Sequence, residues 1–462
     1  MKIKVCAIVL LLCCVSAIPI NKSFAADDLL ASKQDPAGTF ETRFVPYASP
    51  EMYGAVGDGI TDDTEAWQRA VDSGKPIVAG SQLYRCGTIT VTRDTDINCC
   101  NASFICMDTV LFSCSGTAGK GTWELDYKAN SDYALSDRFT GIVYLVGNNN
   151  IFKQRDYYVG GSVEAFYKGV LNTQIPIDIT SVAAYRLNTV QVNIRNISNV
   201  VFETEGKYKV IIKQTYCAFS IIENVNMTHE CYSVVQFNQC FKCTYRDSHI
   251  DIPQYGEPGQ SYYPIEILDT NYTNIENVYA HCVGWHCITT GNKTLCRGTK
   301  VTNCELYSDY ANPAYADHQN GIETIITRST LSSVGLGALG KLSDCDIVCC
   351  KDDDLCVVNL DMCSVDGIAH YVIENCRFYP QSNKRSGVRV VCAPRDTGKD
   401  ADYFLNSLSV SNCRNMSSTA DMPIKQVITS SVTGEITLRV LNVINTNLSV
   451  EMEADNTFVF GN

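Results

Sequence analysis

The stretch Tyr53–Asp72, YGAVGDGITDDTEAWQRAVD, decides the fold. Val56-Gly57-Asp58-Gly59 supplies residues that tolerate the positive φ angles of a tight turn. Asp62, Asp63 and Thr64 predict a helix start. Their side-chain oxygens can accept the free amides of a first turn, and acidic charge suits the helix dipole there. Ala66, Trp67, Ala70 and Val71 follow at helical spacing and give one apolar face. Beyond Gly74, the run Pro76-Ile77-Val78-Ala79 predicts a first strand. The segment reads as a short helix covering the end of a β-rich body, and capping accounts for Asp62-Asp63 without a catalytic role.

Further along, a small unit recurs: an apolar residue, a variable one, Asn or Asp, then often Cys or Val. Its polar position falls at Asn199, Asn224, Asn277, Asn303, Asp344, Asn375, Asn412 and Asn442, with degenerate copies at Asp247 and Arg328. Many of the intervals lie near 25 residues, which three short strands and three turns would fill. Asn tolerates a left-handed turn, and its amide can bond to the Asn of the next coil. The Leu spacing of a leucine-rich repeat is absent. The sequons at Asn196, Asn226, Asn271 and Asn292 read as turn residues beside strand-forming Ser and Thr.

The pattern GDGxTDDTxAxxxA, continuing through the first strand to Arg85-Cys86-Gly87, resembles the opening segment of pectate-lyase-like right-handed parallel β-helix proteins, including polysaccharide-degrading phage tailspikes. The passage from Asp156-Tyr157-Tyr158 to Val190–Ile194 is also similar to that group. The resemblance implies an all-β solenoid with an N-terminal capping helix. It further implies a polysaccharide substrate and a homotrimer.

Residues 1–25 read as a secretory signal. Lys2 and Lys4 precede an apolar run from Val5 to Ile18, and Ser23-Phe24-Ala25 supplies small residues for cleavage. Residues 26–50 read as a linker or extended lead-in, 51–125 as the cap and first coils, 126–195 as an irregular insertion, and 196–462 as the regular coils and C-terminal strands. The location expected is secreted or cell-surface, or alternatively a phage virion tail. No stretch after the leader is apolar enough to span a bilayer.

A formal charge of −13 argues against a nucleic-acid partner, since phosphate binding needs clustered Lys and Arg. There are 24 cysteines, and the 24 − 3 = 21 beyond the leader are odd in number. They lack zinc-finger spacing and read as small buried hydrophobes in stacked positions. The 25 tyrosines suit sugar binding, because an aromatic face stacks on a ring while the phenol bonds to hydroxyls.

Two clusters carry candidate chemistry. The first is Asp309, Asp317, His318, Asn320 and Glu323, where His-x-x-Gly leads into a strand, as in several tailspike-like enzymes. The second is Asp352-Asp353-Asp354, followed by Gly387-Val388-Arg389-Val390. It resembles the paired aspartates and substrate Arg of polygalacturonases, although His370 is followed by Tyr371 rather than Gly. Glycoside hydrolysis uses two carboxyl groups. Elimination from a uronic acid uses a base together with a cation or metal, where Ca2+ would serve. Carboxylates outnumber cations in these clusters. The expectation is therefore a cofactor-free glycoside hydrolase acting through Asp317, His318, Glu323, Asp353 and Arg389. The alternatives are a polysaccharide lyase and a non-catalytic glycan-binding adhesin. His281 and His286 flank Trp285 with no carboxylate close in sequence.

Overall fold

In the computed structural model, residues 1–29, 35–39, 45–46, 125–141, 149–152, 160–182, 207, 253–261, 283, 292–295, 310–312, 318–320, 350–354, 363–368, 380–386, 395–402, 417–422, 428–435, 448, 454–457 and 461–462 lie outside the described residues. The expected leader falls there, as do His318, Asn320 and Asp352-Asp353-Asp354. The chain divides into two compact units, Met1–Tyr47 and Ala48–Asn462. In the first, Leu30–Gln34 and Phe40–Phe44 pair antiparallel, with Leu30 opposite Phe44. That hairpin stands where the sequence predicted a linker.

The second unit is a right-handed parallel β-helix. One face is a ten-stranded parallel sheet. It runs from Ile89–Val91 through Val110–Ser115, Val210–Thr215, Ser233–Asn238, Ile265–Leu268, Ile288–Thr290, Tyr315–Asp317, Val334–Leu336 and Leu355–Met362 to Gly387–Pro394. Most of the other coil strands pair in parallel from coil to coil around a bend. Ile222 pairs with Tyr245, Tyr245 with Ile275, Ile275 with Val301, and Val301 with Ile326. Between Ser115 and Val192 the chain leaves the coils to form a four-stranded antiparallel sheet, so the irregular insertion contains ordered strands.

The bend is made by a column of residues with positive φ: Asn196 (63°), Asn224 (53°), Asp247 (52°), Asn277 (54°), Asn303 (53°), Arg328 (51°), Asp344 (54°), Asn375 (56°), Asn412 (54°) and Asn445 (47°). Asn and Asp tolerate this region because their short polar side chains bond locally. Six of these Asn amides donate to the coil before: Asn196 to Asn98 Oδ1 (2.8 Å), Asn224 to Asn196 (2.6 Å), Asn277 to Asp247 (2.9 Å), Asn303 to Asn277 (3.3 Å), Asn375 to Asp344 (3.0 Å) and Asn445 to Asn412 (2.7 Å). The sequence placed two of these corners three residues off, at Asn199 and Asn442. In Ile197-Ser198-Asn199-Val200 the repeat unit is imitated by strand residues just past the true corner, and in Val440-Leu441-Asn442-Val443 by strand residues just before it.

The interior is lined by stacked apolar residues and thiols. Cys304, Cys345, Cys376 and Cys413 each follow a corner residue and are buried. Their Sγ atoms contact the carbonyl two residues back, at 3.3, 3.1, 3.2 and 3.4 Å. Cys240 and Cys243 are likewise fully buried, so the CxxC pair fills core.

The helix Thr64–Asp72 covers the end of the coils as expected, burying Ala66, Trp67, Ala70 and Val71. Trp67 is the plug, with ring centroids 5.2 Å from Tyr84, 5.4 Å from Phe104 and 6.0 Å from Phe112. The acidic pair differs from the capping expectation. Asp63 is buried and turns back to accept the amides of Val56 (2.6 Å) and Gly57 (3.0 Å), while Asp62 accepts the Thr64 amide (3.0 Å). Asp63 therefore holds the glycine turn rather than the helix amides. Gly57 has φ +68°, and a Cβ there would meet Gln82 Oε1 at 1.9 Å. Ile77–Val78 is a strand, but Asp58–Asp62 already forms one before the helix.

Candidate functional site

Asp317 ends the strand Tyr315–Asp317, where alternation turns Tyr315 and Asp317 inward and Ala316 outward. The residue is 5% exposed, and its carboxylate accepts three hydrogen bonds: Thr290 Oγ1 (2.5 Å), Tyr315 OH (2.7 Å) and the Gly337 amide (2.9 Å). A carboxylate so surrounded braces its coil against the next. Glu323 sits at a left-handed corner (φ 54°) that other coils fill with Lys242 (50°), Tyr272 (60°) or Leu339 (60°). It forms a two-pronged ion pair with Arg297, with Nε–Oε2 2.6 Å and Nη2–Oε1 2.8 Å. Asp317 and Glu323 therefore lie near one another in the chain, but each is committed to its own structural partner.

His318 and Asp353 lie outside the described residues. Arg389 lies on the ten-stranded sheet in register with Val357. The register runs from Ala316 through Gly335, Asn359 and Val391, so its strand lies three rungs beyond that of Asp317, roughly 15 Å. The sheet does not bring Arg389 beside Asp317.

A different constellation occupies the outer face of the same sheet. Lys213 is in register with Gln236, Gln236 with Glu266, Glu266 with Thr289, and Thr289 with Ala316. Strand alternation produces this row, because the adjacent Ile212, Val235, Ile265 and Ile288 are fully buried in the core. A column of rings from the segments leading into these strands stands beside the row. Tyr208 lies 5.0 Å from Tyr232, Tyr232 5.9 Å from Tyr263, and Tyr263 stacks on His286 at 5.9 Å and 17°. The Pro313 carbonyl accepts from His286 Nδ1 (2.5 Å) and fixes the end of the column.

Glu266 joins the row to the rings. The residue is 4% exposed, and its carboxyl accepts from Gln236 Nε2 (2.7 Å) and Tyr232 OH (3.3 Å). Burial pushes its pKa up to about 7, and the Gln236 and Tyr232 hydrogen bonds and the Lys213 charge only partly offset this. Burial and the neighbouring carboxylate push the Tyr232 phenol up as well, so it remains a neutral donor. A carboxyl half-protonated near neutrality can give a proton to a leaving oxygen.

Sequence reasoning missed Glu266. The available signal was a lone charge inside the apolar strand Ile265-Glu266-Ile267, just after Tyr262-Tyr263. The sequence also found no carboxylate for His281. The structure supplies two, with Nδ1 3.1 Å from Asp251 Oδ1 and Nε2 3.1 Å from Asp309 Oδ1. Among the described residues, no group of three or more His, Cys, Asp and Glu could hold a metal ion. Among the same residues, no helix is long and apolar enough to cross a membrane.

No model of a known protein family matches the chain. Among curated proteins, 40 residues are 55% identical to a depolymerase specific for capsule K30/K69 from Klebsiella phage K64-1, and 54 residues are 44% identical to depolymerase 1, specific for capsule KN3, from Klebsiella phage KN3-1. These matches cover 9% and 10% of this chain but 5% and 7% of those proteins. In three dimensions the chain is similar to the tailspike gp49 of Pseudomonas phage LKA1, with TM-score 0.57, 17% identity and coverage of 86% of this chain and 81% of that one. It is similar to the tailspike gp61 of Pseudomonas phage phi297, with TM-score 0.57, 13% identity and coverage of 89% and 77%. It is also similar to the Gp54 tailspike of Acinetobacter baumannii bacteriophage AP22, solved with A. baumannii capsular saccharide, with TM-score 0.52, 12% identity and coverage of 90% and 75%. At these identities the likeness is one of fold, the parallel β-helix implied by Tyr53–Asp72.

Proposed function

We propose that this protein is a polysaccharide depolymerase acting on a bacterial surface glycan, and that it cleaves by hydrolysis with Glu266 as the proton donor. The observation that carries the reading is the placement of Glu266. It is a buried carboxyl with its pKa raised to about 7, set on the outer face of the sheet beside a column of aromatic rings. Aromatic columns suit a chain of sugar rings, and a raised carboxyl suits the acid step of glycoside hydrolysis. The short matches to capsule depolymerases and the tailspike fold support the same class of substrate. Virion-tail location and a homotrimer are the setting proposed from that fold.

His318 of the first sequence cluster is proposed as an assisting group. Arg389 lies on a strand farther along the same sheet, and it and Asp353 are proposed to contact the extended substrate. The hydrolytic reading requires no cofactor.

The test is a cleavage screen of purified protein against capsular polysaccharides, reading reducing ends and absorbance of an unsaturated product together. New reducing ends without the absorbance are expected. The absorbance would make the protein a lyase. Binding without cleavage across the panel would make it an adhesin.

A further inference from the structure

The Glu266 row includes a cation, Lys213, that acts on Glu266 through its charge alone. Lys213 lies two rungs from Glu266, roughly 10 Å along the sheet. It is half-buried on the outer face of Val210–Thr215, and its ammonium makes no hydrogen bond or ion pair with any described residue, its charge reaching Glu266 only at a distance. This is notable in a chain of formal charge −13. Other cations of the coils are engaged: Arg246 with Glu223 at 2.5 Å, Arg297 with Glu323 at 2.6 Å, and Arg377 with Asp346 at 2.6 Å. The same coil presents Tyr208, 69% exposed, at the open end of the ring column. Gln236 stands between Lys213 and Glu266 and commits Nε2 to Glu266, which leaves its carbonyl oxygen for a hydroxyl.

We propose that Tyr208 and Lys213 form a subsite for an acidic sugar, so that the substrate is an anionic polysaccharide whose carboxylate-bearing residue lies two rungs from the bond cleaved. The proposal rests on the reading of Glu266 as the acid. Tyr208 offers a face to the sugar ring, and the Lys213 ammonium pairs with the carboxylate where protein on one side limits screening. An unpaired cation in an acidic protein also draws an anionic chain into one register along the row.

The experiment uses the full-length protein and the capsular polysaccharide that it cleaves, in native and carboxyl-reduced forms. Lys213→Gln is expected to raise KM roughly five- to tenfold on the native polymer with kcat kept within about twofold. Carboxyl reduction is expected to cost the wild type the same factor and to cost Lys213→Gln nothing more. Because Lys213 holds the Glu266 pKa down, Lys213→Gln also moves the basic limb of the pH profile upward, a shift that lost packing alone would not produce. Tyr208→Ala should raise KM on both forms of the polymer.

A cleaved polymer that is neutral, or a Lys213→Gln variant with unchanged KM, overturns the subsite. If Glu266→Gln stays active while Lys213→Gln shows the charge-dependent loss, the acid assignment fails and the subsite stands. If no capsule is cleaved, affinity electrophoresis on the same panel decides. Retardation by acidic but not neutral capsules, relieved in Lys213→Gln, supports the subsite, and any other pattern overturns it.

Discussion

Glu266 shows what a single carboxyl gains from its position. On an exposed strand it would be an ordinary solvated acid. Here burial outweighs two hydrogen bonds and a nearby lysine, and its pKa rises to about 7. Two consequences follow. As free-enzyme acid, Glu266 should give kcat/KM a basic limb that falls as pH rises through about 7, measurable on any polymer the protein cleaves. The same shift affects stability. The folded state keeps this proton at a pH where the unfolded chain, near 4.5, has lost it. Stability therefore falls as pH rises from about 4.5 to about 7, by on the order of 3 kcal/mol. Glu266→Gln removes that loss, so its melting temperature should exceed that of the wild type at pH 8, with the gap closing at pH 4. A gap independent of pH would mean that the carboxyl is not shifted. Sequence alone marks Glu266 only as a lone charge in an apolar strand, because Gln236 and Tyr232 lie 30 and 34 residues away in the chain and meet it only through coil registry.

At the scale of the element, the corner column and the helical lid can be tested separately. Asn277 donates to Asp247, accepts from Asn303 and holds φ at 54°. Asn277→Ala should cost about 2–3 kcal/mol in chemical denaturation, from the lost bonds and the left-handed backbone. Asn277→Gly should cost less, because it keeps the backbone at ease. Equal costs would place the whole effect in the hydrogen bonds. Trp67→Ala should cost about 3–5 kcal/mol, since the indole is fully buried among Tyr84, Phe104 and Phe112. A loss below 1 kcal/mol would mean that the lid does not contribute to global stability. These elements were legible in the sequence because their signals are local: helical spacing for the lid, and Asn before an inward Cys for the corner. The slips at Asn199 and Asn442 arose where neighbouring strand residues copied the corner pattern within three positions. Asp317 and Glu323 stood out for charge in a polar segment, yet their carboxylates are satisfied by Gly337 and Arg297, contacts set by the fold.

For the whole molecule, the β-helix converts a one-dimensional repeat into a sheet on which residues some 25 apart become neighbours. The outer row Lys213, Gln236, Glu266, Thr289 and its column of rings arise from that stacking, and aligning the coils reveals both. The proposal of hydrolytic depolymerisation depends on this row. The measurement that tests it most directly is the rate of reducing-end release by Glu266→Gln beside the wild type, on a capsular polysaccharide the wild type cleaves. The prediction is a loss of roughly 10²–10⁴-fold in kcat with substrate binding retained. A Glu266→Gln protein that cleaves at close to the wild-type rate would contradict the assignment and place the chemistry elsewhere on the coils.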